Sequence, residues 1–175
     1  TPGTHNVGAT YSGDANNPSY VSANVTYGVV NAVSHTSLAS PGSGDVSVGQ
    51  HIHFSARLSV DAGVTIPPTG TIKFIDGGAD GSTATVLCQT AAVQDAPGAL
   101  TATAGCNATI SNPGSHLIGT DFRPDSPYMT SAGSSNDATL SVRTNPTLTL
   151  TGSVASSVVG QPVTLTATLS GAVNP

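Results

Sequence analysis

Val48-Gly49-Gln50-His51-Ile52-His53-Phe54-Ser55-Ala56-Arg57-Leu58-Ser59 decides the fold of this chain. Ile52, Phe54, Ala56 and Leu58 fall on one side of an extended backbone, and His51, His53, Ser55 and Arg57 on the other. Successive side chains of a strand point to opposite faces, so this alternation describes a strand with one face buried and one in water. The stretch recurs 111 residues later as Val159-Gly160-Gln161-Pro162-Val163-Thr164-Leu165-Thr166-Ala167-Thr168-Leu169-Ser170. A second pair stands at the same offset: Pro2-Gly3-Thr4-His5-Asn6-Val7-Gly8-Ala9-Thr10-Tyr11 against Pro113-Gly114-Ser115-His116-Leu117-Ile118-Gly119-Thr120-Asp121-Phe122. Two blocks at one offset indicate a repeating unit the size of a small domain. Residues 1–33 then correspond to the last two strands of one unit, 34–144 to a complete unit, and 145–175 to the first two strands of the next.

Working outward, strand-like segments follow one another with turn residues between them. Residues 5–11 and 20–30 form a hairpin pattern around Gly13-Asp14-Ala15-Asn16-Asn17-Pro18. Within the complete unit, segments 34–40, 50–60, 71–75, 83–90, 99–110, 115–122 and 137–143 are expected strands. Segment 34–40 is weak and is broken by Ser40-Pro41-Gly42-Ser43-Gly44-Asp45. No stretch carries the apolar period of a helix. Seven short strands, each with one apolar face, predict an all-β, antiparallel two-sheet sandwich, because a single sheet would leave an apolar face in water.

Composition narrows the function. The 175 residues carry four basic and nine acidic side chains, for a net charge of −5. That disfavours nucleic acid, whose binding rests on Lys and Arg at phosphates, and attraction to an anionic membrane. About a quarter of the chain is Ser or Thr and 20 residues are Gly, which suits β-structure rich in turns. No apolar run is long enough to span a bilayer as a helix, and the first residues show no signal-peptide pattern. A leader is expected to lie outside a window that starts and ends in mid-array.

Three motifs resemble the bacterial immunoglobulin-like repeats of large secreted and surface-displayed proteins. Val48-Gly49-Gln50 before a strand is similar to the repeat start, and Pro68-Thr69-Gly70-Thr71-Ile72-Lys73-Phe74-Ile75-Asp76-Gly77 to the central strand and turn. Pro2-Gly3-Thr4-His5 leading to Ala9-Thr10-Tyr11-Ser12-Gly13-Asp14 resembles the penultimate strand and its following loop. The complete unit departs from that pattern with Thr120-Asp121-Phe122-Arg123-Pro124-Asp125, and the chain has no Trp. The resemblance implies an extracellular module of stalks, spacers or adhesive segments.

Candidate chemistry is sparse. Cys88 and Cys106 lie in alternating segments separated by the turn-like Gln94-Asp95-Ala96-Pro97-Gly98, so a hairpin would bring them together. A bridge would close a loop of about 18 residues and contribute roughly 3 kcal/mol; two buried thiols in a reducing compartment are the alternative. His51 and His53 leave one strand face together, but two ligands do not make a zinc or copper site, and a polar outward face explains them. Asp76, Asp80, Asp121 and Asp125 are weak Ca²⁺ candidates: Ca²⁺ takes about six to eight oxygens, and turn-forming Asp accounts for them better. No nucleophile elbow occurs, and sugar-binding aromatic platforms are nearly absent. The chain therefore reads as non-catalytic and without a cofactor. Asn24-Val25-Thr26 and Asn107-Ala108-Thr109 match the N-glycosylation pattern, as chance allows in so Thr-rich a chain.

Two functional classes remain. One is a structural spacer of a surface protein or fibre. The other is an adhesive module that binds glycan or protein through its end loops, where sandwiches place recognition. An accessory domain beside a secreted hydrolase is a third possibility. Together the two partial copies lack about 47 residues of a unit, and a lone hairpin is marginal in water. Either identical chains complete them by head-to-tail strand addition, or the rest of a longer array does.

Overall fold

The structure is a computed structural model that describes residues 1–77, 84–134 and 137–171. Its strands in chain order are β1 (Gly3–Val7), β2 (Thr10–Tyr11), β3 (Tyr20–Val21), β4 (Val25–Val29), β5 (Ala32–Ser40) and β6 (Gly44–Ser47). There follow β7 (Ile52–Val60), β8 (Gly70–Asp76), β9 (Thr85–Ala91), β10 (Val93–Gln94) and β11 (Thr101–Ala108). The last are β12 (Gly114–Pro124), β13 (Met129–Ser134), β14 (Ala138–Arg143), β15 (Thr147–Gly152) and β16 (Leu165–Ser170). Among the described residues there is no helix, as the missing 3.6-residue period predicted.

β5 to β14 build a two-sheet sandwich. One sheet runs β10-β11-β7-β5-β13 and the other β6-β14-β12-β8-β9. The first contains the A-B-E-D order and the second the C-F-G order of an immunoglobulin-like domain. The expectation of purely antiparallel sheets is corrected at two places. β13 pairs with β5 in parallel, and β6 pairs with β14 in parallel. The second case has a plain cause: the chain leaves β5 at Ser40-Pro41, crosses to the opposite sheet and rejoins it as β6, still running in the same direction. Residues 41–43, within the stretch expected only as a break, are that crossing. Among the described residues the sandwich therefore has ten strands where seven were expected; β6, β10 and β13 were not expected.

Alternation sets the core. Ile52, Phe54, Ala56 and Leu58 of β7 are buried while His53 and Arg57 are exposed. Opposite them, Ile72 and Phe74 of β8, Ile118 and Phe122 of β12, and Leu140 and Val142 of β14 turn inward. The rings of Phe54 and Phe74 meet across the sheets with centroids 5.8 Å apart and planes tilted by 40°. Such a tilted pair adds to simple burial because the ring edge meets a neighbouring π face. Gly70 permits close approach of β8 and β12. Its φ is +151°, and a Cβ there would strike the Arg123 carbonyl oxygen and come within 2.8 Å of Pro124 Cα.

Flanking the sandwich are two hairpins. β1 pairs with β4, with β2 and β3 continuing the same ribbon, and β15 pairs with β16. Stretches at the 111-residue offset adopt the same local geometry. Gly49 and Gly160 have φ of +75° and +90°, and Gly3 and Gly114 of +136° and +139°. Gln50 donates its backbone N–H to Ser47 O at 3.0 Å, and Gln161 does the same to Val158 O at 3.0 Å. The Gln side chains then turn back as acceptors: Gln50 Oε1 takes Ser47 N–H at 2.9 Å, and Gln161 Oε1 takes Val158 N–H at 3.3 Å. The Val-Gly-Gln motif is thus a turn that needs Gly for its left-handed residue and Gln to satisfy a loose backbone donor.

Candidate functional site

Cys88 and Cys106 form a disulfide, with Cα atoms 6.3 Å apart and a sequence separation of 18. The bridge is not within a hairpin, which corrects the expected geometry. Cys88 lies on β9 of one sheet, opposite Phe74 of β8. Cys106 lies on β11 of the other, opposite Phe54 of β7. The bond therefore ties the two sheets together beside the Phe54–Phe74 ring pair. The Gln94–Gly98 turn does make a hairpin, but it joins β10 to β11 after the chain has already crossed between sheets.

The carboxylate candidates do not converge. Asp76 ends β8 on its inward side, and its Oδ2 lies 2.6 Å from His116 Nδ1. His116 Nε2 donates to the Asn112 carbonyl at 2.9 Å, so both ring nitrogens meet oxygen. His5 repeats half of this arrangement at the same offset, donating Nε2–H to Thr1 O at 2.8 Å. Asp121 sits opposite Lys73, an odd number of residues from Asp76 along β8, and so on the outer face of the sheet. Asp125 is exposed, with its backbone N–H on Thr69 O at 2.9 Å. Asp80 lies outside the described residues. Among the described residues, no three of His, Cys, Asp or Glu gather at metal-binding range.

His51 and His53 are both exposed, and His53 Nδ1 contacts Asn107 Oδ1 at 3.0 Å. The second glycosylation-pattern Asn is thus held against a neighbouring strand; Asn24 is exposed at the head of β4. A shallow cleft of about 560 Å³ lies where residues 29–33 pass residues 61–66 and Tyr128. Its one acidic side chain, Asp61, is already engaged by His35 Nε2 at 2.7 Å.

The loop after β2 carries the clearest polar arrangement. Asp14 Oδ1 accepts the backbone N–H groups of Asn16 and Asn17 at 2.8 and 2.9 Å, and Oδ2 accepts the Tyr11 hydroxyl at 2.6 Å. The Tyr11 bond, then the Asn16 and Asn17 bonds, favour the ionised carboxylate and hold its pKa down to about 2. In the complete unit Phe122 takes the place of Tyr11 at the 111-residue offset, so that hydroxyl tether is missing and Phe122 is buried instead. The departure seen in the sequence is therefore a structural one.

The two flanking hairpins, read in the sequence as parts of like units, carry exposed apolar side chains. The inward faces of both flanking hairpins are apolar and open. Val7, Val25 and Tyr27 are 60–67 % exposed, and Leu148, Leu150, Leu165 and Leu169 are 59–68 % exposed. Val7, Tyr27 and Leu169 stand at register positions matching Ile118, Leu140 and Leu58, which are buried.

No known family's sequence pattern matches this chain. No curated protein matches it either. Among solved structures the chain is similar to the fibronectin(III)-like modules of Clostridium thermocellum CbhA, at 16% identity and a TM-score of 0.41. The likeness covers 82% of this chain, and the chain spans 64% of the length of that structure.

Proposed function

We propose that this chain is a non-catalytic structural module: one immunoglobulin-like unit, residues 34–144, in an array of like units that continues through 1–33 and 145–175. Its work is to carry length and stiffness in an extracellular bacterial surface protein or fibre. The observation that carries this reading is the recurrence of the same backbone turn and side-chain cap at Gln50 and Gln161, together with the geometry shared by His5 and His116. An inter-sheet disulfide supports an oxidising location, since such bonds persist in secreted proteins.

Single-molecule pulling on the chain between two marker domains tests the reading. A spacer unfolds in one discrete event at a force well above the noise. Reduction frees the chain between the cysteines, a sequence separation of 18, and lengthens that event by about 6 nm, at roughly 3.5 Å per residue. Extension without a discrete event refutes the mechanical role. Specific glycan binding by the unit, lost on substitution of Asp76 or Asp80, would move the assignment to the adhesive alternative.

A further inference from the structure

We infer that the two parallel pairings, β5 with β13 and β6 with β14, are mechanical fastenings. Each sets one of the two strands through which tension passes inside a sheet, bonded on both sides. The inference rests on the proposed reading of the chain as a spacer. The chain enters the sandwich from β4 at Ala32, the start of β5, and leaves it towards β15 at Arg143, the end of β14. β6 continues the direction of β5, and β14 runs parallel to β6. Entry and exit therefore stand at opposite ends of strands that point the same way, and a pull on the flanking chain acts along those strands. A strand pulled lengthwise must break the bonds of its ladder together, whereas one pulled sideways loses them one at a time.

Sheet order supplies the second half of the argument. Without β13, β5 would be an edge strand beside β7; without β6, β14 would be an edge strand beside β12. The parallel partners add four residue pairs to each. Their bonds reach the points where tension enters and leaves. Ala32 donates its N–H to Tyr128 O at 2.8 Å, and Arg143 O accepts the Val48 N–H at 2.8 Å. Side chains tie the same seams. Ser34 Oγ donates to Thr130 O at 3.1 Å, Arg143 Nε meets Asp45 Oδ1 at 3.1 Å, and Ser47 Oγ donates to Asn145 Oδ1, just past the exit, at 3.1 Å.

Core packing does not account for these two strands. Among their described side chains, Met129 is the one buried apolar group and Val46 is partly buried against the core. What they chiefly add is backbone pairing, at the two strands where a pull arrives. The disulfide is placed differently. Cys88 and Cys106 lie in the chain between β6 and β14, so the bond limits extension only after the seams have parted.

The test holds the full 175-residue chain, oxidised, at constant force between two marker domains and reads the lifetime of the sandwich before its discrete extension. Forced unfolding follows the unfolding rate, and that rate senses the contacts already lost at the barrier. In the alternation set by the Ala32–Tyr128 and Val48–Arg143 bonds, the N–H groups of Thr130 and Val46 point into the two seams. Thr130→Pro and Val46→Pro each remove one such donor, on edge strands where proline is tolerated. Each is expected to shorten the lifetime at least about fivefold, the rate equivalent of one backbone hydrogen bond. Ser34→Ala deletes a buried side-chain tie, leaves the backbone intact and is expected to shorten the lifetime in the same sense, so the test survives a proline variant that fails to fold. Phe74→Leu weakens the core away from both seams and is expected to shorten the lifetime less than any of them. Folded seam variants that keep the wild-type lifetime, or a Phe74→Leu effect larger than theirs, overturn the inference and leave the spacer reading standing. A wild type that extends without a discrete event overturns both.

Discussion

Replacing Cys88 and Cys106 together with alanine tests how the two sheets are held. The bond closes a chain segment of 18 residues. Removing that constraint lets the unfolded chain expand and shifts the balance by about 3 kcal/mol in the chain-entropy treatment. The double variant avoids leaving a lone thiol. Folding stabilities of single domains run at roughly 5–15 kcal/mol, so a loss of this size removes a large share of the total. With a urea slope of about 1–3 kcal/mol per molar, the midpoint should fall by roughly 1–3 M. The slope itself should rise, because the uncrosslinked chain exposes more surface on unfolding. The assay is urea denaturation followed by far-ultraviolet circular dichroism, on oxidised wild type, reduced wild type and the double variant. Reduced wild type and double variant should coincide. A loss below about 1 kcal/mol would refute the view that the bond restrains the chain across the sheets.

Phe74→Ala should cost about 3–5 kcal/mol, since its fully buried ring fills the space beside Phe54; calorimetry of the oxidised chain reads this, and a loss under about 1 kcal/mol would contradict the packing. Thr120→Val should stabilise by about 1 kcal/mol, because Thr120 Oγ1 is buried with no hydrogen-bond partner among the described residues and valine keeps the shape; a destabilised variant would show that the hydroxyl is satisfied. Gly70→Ala should cost about 2 kcal/mol or more, from both the positive φ and the collision with the Arg123–Pro124 backbone; a neutral result in urea would refute that close approach. Tyr11→Phe removes the largest cause of the low Asp14 pKa. In the wild type the carboxylate's contribution to loop order is complete above the ordinary Asp range and is lost as pH falls through about 2. In the variant that loss should begin at higher pH by carboxyl-detected NMR titration, and an unmoved Asp14 curve would remove the hydroxyl from the account.

Strands with large apolar residues at every second position were legible in the sequence. β7, β8, β12 and β14 fall close to where Ile52–Leu58, Ile72–Phe74, Ile118–Phe122 and Ala138–Val142 alternate. The missed strands lack that signal for a physical reason. β6 is Gly44-Asp45-Val46-Ser47, β10 is only Val93-Gln94, and β13 carries Met129 followed by small or polar residues. They are edge elements held by backbone pairing with a neighbour, and backbone hydrogen bonds leave little trace in side-chain pattern. The parallel pairings were illegible for a related reason. They depend on which sheet the chain rejoins after Ser40-Pro41, a tertiary fact. The cysteine hairpin was inferred from a real turn that belongs to a different pair of strands.

Burial is the property that the repeat separates most clearly from sequence. Tyr27 and Leu140 hold matching places in matching hairpins, opposite His5 and His116. One is 65 % exposed and the other 1 %. Alternation therefore records which face a strand offers, and the opposite sheet decides whether the offer is met. In the complete unit the partner is present in the same chain, and the Cys88–Cys106 bond fastens it there. A surface patterned as a core is favourable only when something of matching shape covers it.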